Sequence, residues 1–125
     1  MSYKYIDAAA LKGQTIKEIK QTKDDIRFET KDGKKYIMYH AQDCCESVII
    51  HDIQGEIQSL VGKKLIKAKQ EISKDWPEDV EPVEYTDSYT WTTYTLAVRG
   101  AKVIIRWLGE SNGYYSEDVN LEEIE

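Results

Sequence analysis

The stretch L-K-G-Q-T-I-K-E-I-K-Q (residues 11–21) has a counterpart later in the same chain, L-V-G-K-K-L-I-K-A-K-Q (60–70). Leu11 aligns with Leu60, Gly13 with Gly62 and Gln21 with Gln70. Two further blocks align in the same order. G-K-K-Y-I-M-Y-H (33–40) matches G-A-K-V-I-I-R-W (100–107), and E-S-V-I-I-H-D-I (46–53) matches E-D-V-N-L-E-E-I (117–124). Each match is short, but three in register make a tandem duplication the reading that organises the chain. The copies span about 7–53 and 56–124. The second is longer, and much of its extra length is an acidic stretch at 74–88 with Trp76-Pro77 and Pro82.

Each copy then reads the same way. Asp7 to Leu11 and Glu56 to Leu60 begin on an acid and stop two residues before a glycine, as short helical turns do. Alternating apolar and charged residues over 14–21 and 63–72 predict strands. Residues 25–31 and 90–98, rich in Thr, Tyr, Phe and Ile, predict a second pair. Asp32-Gly33 and Arg99-Gly100 mark hairpin turns into strands at 35–40 and 102–108. A loop and a last strand follow, at 46–53 and 117–121. The expected fold is α+β and mostly antiparallel β, with two tandem helix plus four-strand-meander repeats. They would form one pseudo-twofold domain over residues 1–125, with the two helices covering one face or the ends.

Composition narrows the function classes. A net charge of −6 argues against a long nucleic acid as partner, because such binding needs clustered positive charge. No apolar run approaches the roughly 20 residues of a membrane span, and Met1 to Leu11 does not read as a signal peptide. The cysteines, Cys44 and Cys45, are adjacent, a spacing that disfavours both a disulfide and a structural zinc site. They are expected to be reduced, one of them a buried small apolar residue, and the compartment cytoplasmic. Asp43 is expected to cap the loop around them.

Gly109-Glu110-Ser111-Asn112-Gly113 fits the G-x-S-x-G of a nucleophile elbow. That motif needs a helix after the serine, but Y-Y-S-E-D-V-N-L alternates like a strand, and no histidine follows His51. No acid–base constellation, phosphate loop or zinc-protease motif is present, so no enzyme activity, cofactor or metal is expected. Asn112-Gly113 reads instead as a type I′ hairpin turn. Its neighbours suit a ligand. Arg106 offers a planar fork for phosphate, and Trp107, Tyr114 and Tyr115 offer rings for a base. Ser111, Asn112 and Gly113 add polar groups and backbone N–H donors. His40 and Asp43 lie at the matching place in the first copy. A third cluster, Tyr85 to Tyr94, puts Tyr89 and Trp91 on one side of a strand as a sticky face. With nine tyrosines and three tryptophans, the chain has aromatic surface to spare for self-association.

The blocks Y-H-A-Q-D-C-C-E-S-V (39–48) and I-R-W-L-G-E-S-N-G-Y-Y-S-E (105–117) resemble a family of small uncharacterised proteins of bacteriophages and prophages. The resemblance runs from about residue 11 to the end and brings no catalytic residues with it. It implies a role in host cytoplasm. By analogy of size, origin and residue chemistry, it points to anti-defence proteins that sequester nucleotide immune signals, as Thoeris anti-defence proteins do. The leading expectation is therefore a non-enzymatic homo-oligomer that binds a small nucleotide-like ligand. The alternative is an inhibitor that covers a host defence protein with loop 74–88 and strand 89–94.

Overall fold

The computed structural model describes residues 2–83 and 86–125, so Glu84 and Tyr85, the latter named above in the aromatic cluster, lie outside the described residues. Two antiparallel sheets carry the structure. The first has the order β1-β9-β4-β3-β2, from β1 (Tyr3–Tyr5), β2 (Ile16–Gln21), β3 (Asp25–Thr30), β4 (Lys35–Tyr39) and β9 (Asn120–Ile124). The second has the order β5-β8-β7-β6, from β5 (Ser47–Gln54), β6 (Lys67–Ser73), β7 (Ser88–Val98) and β8 (Ala101–Ser111). The expected helices are 3-10 turns, Ala8–Leu11 and Ile57–Leu60. Asp7 and Glu56 cap them, each side chain accepting from the N–H two residues on.

The mostly antiparallel expectation stands, but the four-strand meander is corrected. Three strands of each half run as a meander, and the fourth leaves for the other sheet. β5 pairs with β8, and β9 pairs with β4. The sequence has no way to show this, because a strand reads the same whichever sheet it joins. β1, three exposed residues, adds an edge to β9 that the sequence reading did not contain.

Period-two alternation builds the core between the sheets. Ile26, Phe28, Tyr36, Met38 and Leu121 of the first sheet join Tyr94, Leu96, Val103, Ile105 and Trp107 of the second in one buried cluster. Leu11 and Leu60, one from each turn, are fully buried in it. The two halves also touch along their own backbone. Thr15 and Lys64 form an antiparallel bridge. Beside it, Gly13 N–H donates to Leu65 O and Gly62 N–H to Ile16 O, both at 2.7 Å. Both glycines sit at positive φ, 91° and 87°, where the absence of Cβ lets the chain turn from helix into strand.

Two buried glutamates hold the loops that cross between sheets. Glu46 accepts from the backbone N–H groups of Asp43 (2.8 Å) and Cys44 (2.9 Å), and His40 Nε2 lies 2.7 Å from its Oε2. His40 Nδ1 reaches Asp118 O on the other crossing loop. There, Glu117 accepts from Thr90 Oγ1 and Ser111 Oγ, with Lys74 Nζ at 3.7 Å. The cap of loop 40–46 is thus the carboxylate of Glu46, not that of Asp43. The chain curls around it, so Cys44 and Cys45 do not alternate as strand neighbours would. Both are exposed, and they are joined as a disulfide. The expectation of reduced cysteines, one of them buried, is corrected, and the argument for a reducing compartment loses its premise.

Asn112-Gly113 is no type I′ hairpin either. Only Gly113 has positive φ, and β8 and β9 do not pair, so the segment is a crossing loop. It packs against Gly109, where a Cβ would meet Glu117 O at 2.5 Å.

Two outcomes follow. Gly109→Ala forces backbone apart at that contact and is expected to cost about 1–3 kcal/mol, read as a lower urea midpoint. Burial alone would raise the Glu46 carboxyl, but the bonds from His40 and the backbone N–H groups outweigh it and hold it at about 2. A carboxyl depressed on folding stabilises the protein above its unfolded value, and this stability fades as pH falls towards the folded value. Melting curves should therefore show wild type ahead of Glu46→Gln at pH 7, with the gap closing between about pH 4.5 and 2.

Candidate functional site

Arg106 and Trp107 are neighbours on β8, so their side chains leave opposite faces of the sheet. Trp107 faces inward. It is fully buried, and its Nε1 lies 3.3 Å from Met38 Sδ across the core. A ring enclosed on every side has no face for a base, so its expected stacking role is corrected. Arg106 faces outward, and around it the structure gathers a cluster on the outer face of the second sheet.

The platform of this cluster is Trp91, on β7. Its odd-numbered neighbours point away from the core, yet Trp91 is only 2% exposed. The acidic stretch covers it. After β6 the chain folds back over the sheet as a strap, residues 74–83, and Trp76 is its anchor. The Trp76 ring meets Trp91 edge-on at 5.3 Å and Tyr89 edge-on at 4.9 Å, and its Nε1 donates to Val80 O. Such pairs add about 0.5–1.5 kcal/mol beyond area burial. His51 from β5 packs against Trp91 at 5.0 Å. Tyr89 and Trp91 thus lie on one side of the strand, against Trp76 rather than bare to solvent. Trp91 Nε1 is buried with no hydrogen-bond partner among the described residues.

The guanidinium of Arg106 lies 5.7 Å from the centre of the Trp91 ring, within cation–π range. It bridges two carboxylates. Nε and Nη2 donate to Asp52 at 2.7–3.1 Å, and Nη1 and Nη2 donate to Asp79 at 3.0 and 2.9 Å. The bonds that Arg106 donates, to Asp52 first and then to Asp79, raise its pKa further, and Arg106 in turn lowers that of Asp79. At Asp52, burial acts to raise the carboxyl, but the bonds from Arg106 and His51 lower it on balance. The two acids are not equivalent. The Asp52 side chain is 28% exposed and lies on a strand, whereas Asp79 is 59% exposed and rides on the strap. A shallow groove opens beside this cluster, with Ile50, Ile53 and Ile57 among its lining and Gln21, Lys23, His51, Asp52 and Glu56 as polar groups.

The other expected residues lie elsewhere. Ser111, at the end of β8, donates a hydrogen bond to Glu117 and accepts one from Gly113 N–H at 3.0 Å. Tyr114 N–H donates to Asn112 Oδ1 at 3.0 Å. Of the N–H groups expected to face a ligand, that of Gly113 is thus turned onto Ser111 within the loop. Tyr114 is 89% exposed and Tyr115 half-buried. His40 and Asp43 belong to the Glu46 knot described above. The site thus keeps Arg106, Tyr89 and Trp91, and adds Asp52, His51, Trp76 and Asp79. Trp76 was visible as a large apolar residue stranded in an acidic loop. Nothing local marked Asp52 or Asp79 as partners of Arg106.

No helix among the described residues is long and apolar enough to cross a membrane. No curated protein and no solved structure matches the chain. A family model described as a domain of unknown function, DUF7448, matches residues 9–121, and the chain therefore belongs to that family.

Proposed function

We propose that this protein is a non-enzymatic binding module that takes a small anionic aromatic ligand of nucleotide type at Arg106 and Trp91, beneath the strap. One observation carries the reading. The outer ligand of a half-enclosed arginine is a carboxylate that an exposed strap supplies. Asp79 is the more exposed of the two carboxylates on Arg106, 59% against 28% for Asp52, so a phosphate would compete for its place rather than for that of Asp52. Asp52 would stay and hold the guanidinium in position. Trp91 is itself only 2% exposed, so its ring and its unpaired N–H become available to a ligand where the strap lifts with Asp79, and the adjoining groove adds Lys23 and His51 beside Asp52 and Glu56. The resemblance to phage and prophage proteins would make the ligand a host immune signal and the activity its sequestration, in the host cytoplasm.

The chain is read as two copies of one unit. The shared order of capped 3-10 turn and four strands in each half supports this, as do the paired bonds at Gly13 and Gly62. Self-association is part of the proposal. β5 is an edge strand with Ile49 48% exposed, and it carries no lysine to discourage pairing.

A second reading has its own support. The strap turns Asp75, Glu78 and Glu81 to solvent beside Val83, which is 48% exposed. Such a surface suits a basic patch on a partner protein.

Calorimetry against cyclic and ADP-ribose-type nucleotides separates the two. A member of the panel should bind wild type, and bind Asp79→Asn about threefold to tenfold tighter, because the competing carboxylate is weakened. Arg106→Lys should lose tenfold or more, since an ammonium lacks the fork, with a melting temperature close to wild type. Silence from every nucleotide on wild type and Asp79→Asn, with a host protein retained through the strap acids, would favour the second reading.

A further inference from the structure

The outer face of the first sheet carries a different chemistry. Cross-strand register sets it out. Glu122 on β9 lies between Tyr5 on β1 and Ile37 on β4, and Asn120 lies opposite Tyr39. Glu122 is only 6% exposed although it faces away from the core. Tyr39 Oη donates to its Oε1 at 2.8 Å, and Asn120 Nδ2 lies 3.2 Å from its Oε2. Both partners are neutral. Arg27 and Lys35 share the face, but Arg27 pairs with Asp25, and no cation lies within ion-pair distance of Glu122 among the described residues. A buried carboxylate is costly unless it is paired, and two neutral donors leave half of its four acceptor positions open.

Around this carboxylate stand aromatic rings that the core does not use. Tyr3 and Tyr39 meet at 6.5 Å with their planes at 89°, two walls of a corner. Tyr5 is the third ring. It is 69% exposed, and its hydroxyl accepts one bond from Asn120 at 2.9 Å, so it can turn aside at little cost. Burial first, then the bond to Glu122, pushes the Tyr39 hydroxyl up to about 12, so it remains a donor to the carboxylate at neutral pH.

We propose that Glu122 with Tyr3, Tyr5 and Tyr39 forms a binding site for a small alkylammonium cation. The carboxylate supplies the missing counter-charge from below, and the ring faces supply cation–π attraction from the sides, as in aromatic cages for quaternary ammonium groups. The site lies on the opposite sheet from Arg106 and Trp91 and does not rest on the function proposed for them.

Tetramethylammonium chloride is the probe, titrated into the full chain at constant ionic strength against sodium chloride. Tyrosine ring signals are followed by two-dimensional NMR. The expected result is a saturable shift of the Tyr3, Tyr5 and Tyr39 signals with tetramethylammonium and none with sodium. Glu122→Gln should weaken this binding about tenfold or more. Tyr5→Ala, at an exposed edge, should weaken it as well and leave the melting temperature in place. Should Glu122→Gln fail to fold, the Tyr5 variant decides. Absence of a saturable shift in wild type overturns the proposal, and so does wild-type affinity in Tyr5→Ala or in a folded Glu122→Gln.

Discussion

Each sheet is completed by a strand from the other half of the chain, and the rest of the structure depends on that exchange. The meander β2-β3-β4 would end on the bare backbone of β4, directly above Met38 and Tyr36. β9 arrives from the far end of the sequence and pairs with residues 35–39. β5 does the same for β8, over Ile104 to Glu110. Backbone groups left unpaired beside an apolar core carry a large cost, so neither half closes well without the other. The crossing loops must therefore be held, and Glu46 and Glu117 do this with bonds that a surface carboxylate could not make so strongly. The His40 contact to Asp118 O ties the two crossings to each other.

The same alternation that builds the core decides what the outer faces can offer. On β8, inward positions go to Val103, Ile105 and Trp107, so Arg106 must look outward. On β7, inward Tyr94 and Leu96 leave Trp91 outward, a large ring with no core to enter. A bare tryptophan on a sheet face is a liability, and the chain covers it with its own inserted strap. Trp76 does the covering and Asp79 the fastening. The acidic stretch, which in the sequence looks like a solvated loop, is thus a folded layer whose order comes from the ring and the arginine beneath it.

Much of the site was within reach of a stricter use of period two. Arg106 and Trp107 are adjacent in a strand-like segment, and that alone assigns them to opposite faces. Tyr89 and Trp91, two apart, belong together for the same reason, and both meet Trp76. The partners of Arg106 were not legible. Asp52 and Asp79 stand 54 and 27 residues away from it in the chain, and they come near only through strand pairing and the fold-back of the strap. The loop at Asn112-Gly113 misled for a related reason. An Asn-Gly step signals a hairpin when its flanking strands pair, but here they belong to different sheets.

The sequence by itself determined the local elements. Capping acids, glycines at the ends of turns and alternating side chains are properties of a few neighbouring residues, and they place the two 3-10 turns and nearly all the strands. They also point to the antiparallel class, because the links β2–β3, β3–β4 and β7–β8 are too short for a crossover, although the 74–87 link between β6 and β7 is not. Tertiary structure decided which sheet receives the fourth strand, which carboxylates meet Arg106, and how Cys44 and Cys45 come to be joined on the loop around Glu46. It also decided that Glu122 lies buried on an outer face among tyrosines. These outcomes depend on contacts between residues far apart in the chain, whose energies are settled only when both sheets pack.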